Sequence, residues 1–102
     1  MIRIRVVLPT HLRELARAGP EVHVEVTEAA TIAEVVEAVE GDYPSLLGTI
    51  RDQTTNERRP YLRYIAGGED LSHVAPASRV PEAVVTGEEP FLIIGAIAGG
   101  AR

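Results

Sequence analysis

Cysteine is absent from this chain of 102 residues, and so is lysine. Without a thiol there can be no disulfide, no thiolate metal site and no cysteine nucleophile, so any sulfur the chain handles must be carried on another group. Without lysine, all ten basic residues are arginines. Codon bias is the plain explanation, and one consequence holds either way: the N-terminus is the only reactive amine, so the protein cannot build lysine-linked chains upon itself. Tryptophan is missing too, and Tyr43, Tyr61, Tyr64 and Phe91 are the only aromatic residues, which predicts a mainly aliphatic core. Positive charge is scarce: the net charge of −5 argues against a nucleic-acid binder, which needs a cationic face to displace phosphate counterions. Long hydrophobic runs are absent as well. The longest, residues 91–100, is about half a membrane span, and no signal-like segment precedes the first strand-like run. A cytoplasmic protein with no membrane association is expected.

Apolar residues make up 45% of the chain and charged residues 25%, ordinary globular usage for one domain. Residues 1–8 alternate, with Ile2, Ile4, Val6 and Leu8 on one face and Arg3, Arg5 and Val7 on the other, the pattern of a half-buried strand that Pro9 ends. Residues 11–18 can form a helical turn before the Gly19-Pro20 turn. Val22, Val24 and Val26 alternate with His23, Glu25 and Thr27, giving a second strand. An antiparallel pair would set Arg3 and Arg5 beside His23 and Glu25.

The clearest helix follows. Thr31 and Glu34 have capping-box spacing, Ile32, Val35, Val36 and Val39 form one apolar stripe, and Gly41 is a natural stop. Glu34, Glu37 and Glu40 are expected on a solvated face. Residues 45–51 suggest a short helix and residues 52–60 a mobile polar loop. Residues 61–66 read as a third strand, Gly67-Gly68 as a turn, and residues 68–71 as a short pairing segment. Residues 73–85, broken by Pro76 and Pro81, read as irregular, and Phe91 begins a final strand rich in β-branched residues. Strands on both sides of one good helix suggest an α+β fold, a mixed sheet packed on one main helix. A β-grasp, or ubiquitin-like roll, satisfies this order, with the first strand central and the last strand parallel beside it. Periodicity alone leaves ferredoxin-like arrangements open, although these normally need a second long helix. The β-grasp domain is assigned to residues 1–95 and a flexible tail to residues 96–102.

No catalytic constellation emerges, and the chain is not expected to be an enzyme. His11, His23 and His73 lack metal-ligand spacing. Ser45, Ser72 and Ser78 lack a nucleophile elbow, and Gly67-Gly68 lacks the lysine and spacing of a phosphate loop. The exception is the end of the chain, GAIAGGAR from Gly95 to Arg102. Its small residues suit a backbone that must enter a narrow slot, although frayed termini are commonplace.

Taken together, these segments resemble a known family. The opening VVLPTHLREL at residues 6–15, the helix TIAEVVEAV at 31–39 followed by Tyr43-Pro44, GEDL at 68–71 and IIGAIAGG at 93–100 are similar to the ubiquitin-like sulfur carriers of the MoaD/ThiS type. That family is typified by the small subunit of molybdopterin synthase and by the thiamine-pathway carrier. The long loop before Tyr61 resembles members that serve cysteine synthesis. The resemblance implies that Gly100, next to Gly99, is adenylated by an ATP-dependent activating enzyme. A sulfur donor then converts it to a thiocarboxylate, and a biosynthetic enzyme accepts the sulfur. ATP belongs to the partner, and no cofactor is expected on this chain. Two departures stand out. Ala101 and Arg102 follow the glycine pair, so a processing protease is implied before Gly100 can be terminal, and Gly95 replaces the family's usual proline. Strand parity, with the family's last strand implying Phe91 and Ile93 inside and Leu92 and Ile94 outside, predicts an outward partner-binding patch of Val7, Ile65, Leu92 and Ile94, continued by Ile97 and Ala98 in the tail, unless the long loop covers it. A ubiquitin-like modifier conjugated through Gly100 and a non-activated β-grasp binding module are the competing classes.

Overall fold

The computed structural model describes residues 1–95. The segment assigned to the tail, residues 96–102 with Ile97, Ala98, Gly99 and Gly100, lies outside them.

The chain opens with β1 (Ile2–Val7) and, after Pro9, α1 (Thr10–Ala16), two turns where one was expected. Proline cannot extend the strand but sits readily at a helix entry, where its missing N–H costs nothing. Arg17 closes α1 in the left-handed region at φ 56°, and β2 (Glu21–Val26) returns antiparallel to β1. The alternation holds residue by residue: Ile4, Val6, Val22, Val24 and Val26 are buried. On the opposite face Arg3 stands across from Glu25 and Arg5 from His23, as anticipated. The side chains turn to a different partner, however: Arg5 (3.4 Å) and His23 (3.5 Å) both approach Glu21.

Next is α2 (Ile32–Asp42), which buries Ile32, Val35, Val36 and Val39. Half of the capping box forms. Thr31 accepts the Glu34 backbone N–H at 3.1 Å, but the Glu34 carboxylate reaches past Thr31 to the backbone N–H (2.8 Å) and hydroxyl (2.9 Å) of Thr27. Gly41 is not the stop. The helix runs through it to Asp42 and ends at Tyr43, because a residue preceding proline is driven out of the helical region. Pro44–Leu46 makes a single 3-10 turn in place of the helix expected over residues 45–51.

The connection over residues 52–60 is more ordered than its composition suggests. One Asp52 carboxylate oxygen accepts the N–H groups of Thr54 (2.7 Å) and Thr55 (3.0 Å), Asn56 adopts φ 63°, and Arg51 bridges antiparallel to Arg58. This is a side-chain-nucleated turn of the kind Asp and Asn favour. β3 (Leu62–Ala66) and β4 (Glu69–Asp70) then form a hairpin around Gly67-Gly68. Both glycines have positive φ (58° and 79°), as a two-residue primed turn demands, and a Cβ on Gly67 would press to 3.2 Å from Pro81. The stretch read as irregular contains one further element, α3 (Glu82–Val85). Pro81 starts it rather than breaking it. Finally β5 (Phe91–Gly95) enters the sheet between β1 and β3, parallel to the first and antiparallel to the second, giving the order β2-β1-β5-β3-β4. This mixed five-stranded sheet, with α2 covering its inner face, is the β-grasp expected from the element order.

Glu40 is the principal correction. It is 7% exposed rather than solvated, the one buried polar residue among the described residues. Its carboxylate accepts Arg51 Nε (3.1 and 3.2 Å) and Nη2 (2.8 Å) in a forked pair. Spacing explains the burial, since Glu40 is four residues from Val36 and eight from Ile32, at the edge of the apolar stripe. The hydrogen bonds to Glu40, then its charge, raise the Arg51 pKa against the opposing effect of burial. Glu40→Ala should leave Arg51 without its counter-ion and destabilise the fold by about 3 kcal/mol, the low end of the buried-pair range because Arg51 retains some exposure. The paired Glu40→Met, Arg51→Met variant should recover most of that loss, as read from urea unfolding midpoints.

Candidate functional site

β5 determines what surrounds the base of the tail. Its inner face carries Phe91 and Ile93, both fully buried, with the Phe91 ring 5.5 Å from that of Tyr64. Burying each such side chain stabilises the strand by about 1.5–3 kcal/mol. These anchors hold β5 in register, and its last described residue, Gly95, pairs with Leu62. There a groove of about 860 Å³ opens, lined by Val7, Pro9, His11, Tyr61, Ile94 and Gly95 among others. His11 and Tyr61 stand as a tilted ring pair, centroids 6.4 Å apart. A Cβ on Gly95 would lie 3.8 Å from His11 and 3.9 Å from Pro9, ordinary contact distances. An alanine methyl therefore fits at Gly95 without displacement.

On the outer face the parity reading holds. Val7 pairs with Leu92, and Leu92 with Ile65, so three apolar residues from three neighbouring strands form one row across the sheet. Ile94 follows Leu92 along β5 and is 42% exposed; Val7, Leu92 and Ile65 are half-buried. The register ends this row in acids on both sides, Glu21 opposite Val7 and Asp70 opposite Ile65. The 52–60 connection does not lie over the row. Arg51 binds it to Glu40 of α2, and Arg58 binds it to the carbonyl of Ser72 (3.0 Å), so it packs on the helix side. The structure thus brings Val7, Ile65, Leu92 and Ile94 together beside the point where the tail departs.

Sequence reasoning missed Arg58 and Tyr64. Arg58 donates Nε to Ser72 O and Nη1 to the carbonyls of Arg59 and Leu62, a role that a charged residue in a polar loop does not advertise. Among the described residues, no group of His, Cys, Asp and Glu could hold a metal ion, and no helix is long and apolar enough to cross a membrane.

No protein-family model and no curated protein matches the sequence. Solved structures do match the fold. The chain superposes on SAMP1 from Haloferax volcanii with a TM-score of 0.73 at 20% identity, covering 96% of this chain and 99% of that one. It superposes on the Amycolatopsis orientalis BexX/CysO complex with a TM-score of 0.71 at 20% identity, covering 94% and 98%. For a putative molybdopterin converting factor subunit 1 from Pyrococcus furiosus the TM-score is 0.62 at 14% identity, over 93% and 98%. The fold is therefore the ubiquitin-like β-grasp that these structures share, as expected from the sequence.

Two acids on this framework make an acid-sensitive contribution. Ser72 hydroxyl and N–H groups lower the Asp70 pKa, assisted by Arg63 at 2.9 Å, and the Thr55 and Thr54 N–H groups lower that of Asp52. The folded pKa values lie below the unfolded ones, so the unfolded state binds more protons. The associated stability is present above about pH 4 and is lost as the pH falls through the folded values. Urea midpoints measured between about pH 2 and pH 5 should fall with acidification, and Asp70→Asn should flatten that slope while lowering the midpoint at neutral pH.

Proposed function

We propose that this chain is a ubiquitin-like sulfur carrier of the cytoplasm that works through Gly100. The observation that carries the reading is the position of β5. A strand anchored at the sheet centre delivers the chain at Gly95, from which AIAGG at residues 96–100 continues, able to span up to about 18 Å when extended. A glycine terminus on so narrow a segment fits the active site of another enzyme, and this chain supplies no catalytic group of its own. The fold shared with SAMP1, CysO and a putative molybdopterin converting factor subunit supports the same class.

The chemistry begins when a protease removes Ala101 and Arg102. The Gly100 carboxylate, a poor electrophile, attacks the α-phosphorus of ATP in an activating enzyme, releasing pyrophosphate and forming an acyl adenylate. A hydrosulfide-level donor displaces AMP, leaving a C–S bond where a C–O bond stood. The thiocarboxylate then passes its sulfur to a biosynthetic acceptor enzyme, in a molybdopterin, cysteine, thiamine or related pathway, and water restores the carboxylate. This is group carriage with the catalytic groups on partners. The Val7, Leu92, Ile65 and Ile94 surface docks those partners, with Ile97 and Ala98 entering alongside Gly99 and Gly100. An exposed apolar patch rimmed by charge is the common form of such a surface.

A second reading, transfer of Gly100 to a lysine of another protein, is favoured by the likeness to small archaeal modifier protein 1. The intact mass of the protein purified from its own cells separates the two. Loss of residues 101–102 with one oxygen exchanged for sulfur supports the carrier. Adducts joined by amide bonds support the modifier, and an untrimmed chain in cells holding the activating enzyme and protease refutes both. In the same system Ile94→Asp should slow activation at least about tenfold, the equivalent of 1.4 kcal/mol of docking energy, without lowering the thermal midpoint.

A further inference from the structure

A second cavity lies on the other side of the sheet and shares no lining residue with the groove at Gly95. It measures about 300 Å³, between the N-terminal turn of α2, the 51–58 hairpin and the segment after β4. That is room for about ten water-sized groups at roughly 30 Å³ each, the lower end of ligand-pocket sizes. Ile32, Ala33 and Val36 of α2 form one wall, with Val74 and Pro76 also lining the cavity. Arg51, Arg58, Tyr64 and Ser72 are among the polar lining, with Asn56, Glu57 and His73 beside them.

Donors in this polar group outnumber their uses. A guanidinium carries five N–H groups. Arg58 spends three of them, its Nε and both on Nη1, on the carbonyls of Ser72, Arg59 and Leu62, which fixes the plane and leaves Nη2 with no intramolecular partner among the described residues. Arg51 is held through Nε and Nη2 by Glu40, leaving Nη1 unused. Tyr64 is 5% exposed, yet its hydroxyl makes no hydrogen bond among the described residues. Burial pushes that phenol up to about 12, so it remains a protonated donor at neutral pH. Ser72 accepts the Tyr64 backbone N–H at 2.9 Å and gives its hydroxyl proton to Asp70, so it lines the cavity without a donor to spare. Arg51 is paired with Glu40, Arg58 has no ion-pair partner among the described residues, and Glu57, which also lines the cavity, disfavours multiply charged ligands.

We infer that this cavity binds a small organic monocarboxylate, its carboxylate received by the unused N–H groups of Arg58 and Arg51 and the Tyr64 hydroxyl, and its short aliphatic part laid against Ile32 and Val36. Rigid, pre-oriented donors lose little entropy on binding, and planar guanidinium groups match the carboxylate plane. The site is independent of the carrier reading and stands or falls without it.

The test titrates the isotope-labelled full chain with sodium butanoate, with inorganic phosphate, and with sodium chloride at matched ionic strength, following backbone and arginine side-chain resonances. Butanoate should shift Arg51, Arg58, Tyr64 and Ser72 saturably, with half-saturation at about 1–10 mM, and phosphate should bind more weakly. Tyr64→Phe keeps the ring against Phe91 and should weaken butanoate binding at least fivefold. Shifts that are linear in concentration, spread over all arginines or reproduced by chloride would overturn the site. So would phosphate binding in preference to butanoate, or undiminished binding in Tyr64→Phe.

Discussion

The parallel pairing of β5 with β1 is the constraint on which the rest of the molecule depends. Residues near the two ends of the chain, Val6 with Phe91 and Val7 with Leu92, meet in the middle of the sheet. A parallel pair cannot be closed by a tight turn, so everything between β1 and β5 serves as the connection. β2 returns along the outer side of β1, α2 crosses the inner face, and β3 arrives antiparallel on the far side of β5. The core then fills with Phe91, Ile93, Val6 and the α2 stripe. β5 is flanked by β1 at Phe91 and Leu92 and by β3 from Leu92 to Gly95, which fixes its place in the sheet.

That arrangement separates the two faces in purpose. Along β5, Phe91 and Ile93 point into the core while Leu92 and Ile94 point out, and period-two geometry forces this division. Neighbouring strands in register then turn single outward residues into a continuous apolar row ending beside the tail. The inner side is busier. The long connection is drawn under the sheet by Arg51 on Glu40 and by Arg58 on three backbone carbonyls, so charged residues in a polar loop act as its ties. Those same ties hold the guanidinium groups still around Tyr64.

Much of this was legible beforehand, for reasons particular residues make plain. The alternation at residues 2–8 and 22–26, the stripe from Ile32 to Val39 and the glycine pair at 67–68 each encode local geometry within a few residues, where backbone sterics and periodicity decide. The uniformly apolar β5 carries no such alternation, and its inner and outer residues, with the patch of Val7, Ile65, Leu92 and Ile94, came from the family resemblance instead. Local rules misled where a distant group intervened. Gly41 looked like a stop, but Pro44 ended the helix, and Pro81 looked like a breaker yet served as an entry. Glu40 looked solvated until Arg51, eleven residues away, was brought to it.

The sequence by itself determined the strand and helix segments, the faces they bury and the absence of thiol and lysine chemistry, because these follow from side-chain period and composition. It also held the glycine pair at residues 99–100. Only the tertiary structure decided which cations would be immobilised, that the 52–60 connection would leave the outer face open, and that a donor-lined cavity would form around Tyr64. Those outcomes rest on contacts between residues far apart in the chain, and the partner of a buried charge is chosen by the fold as a whole rather than by its neighbours in sequence.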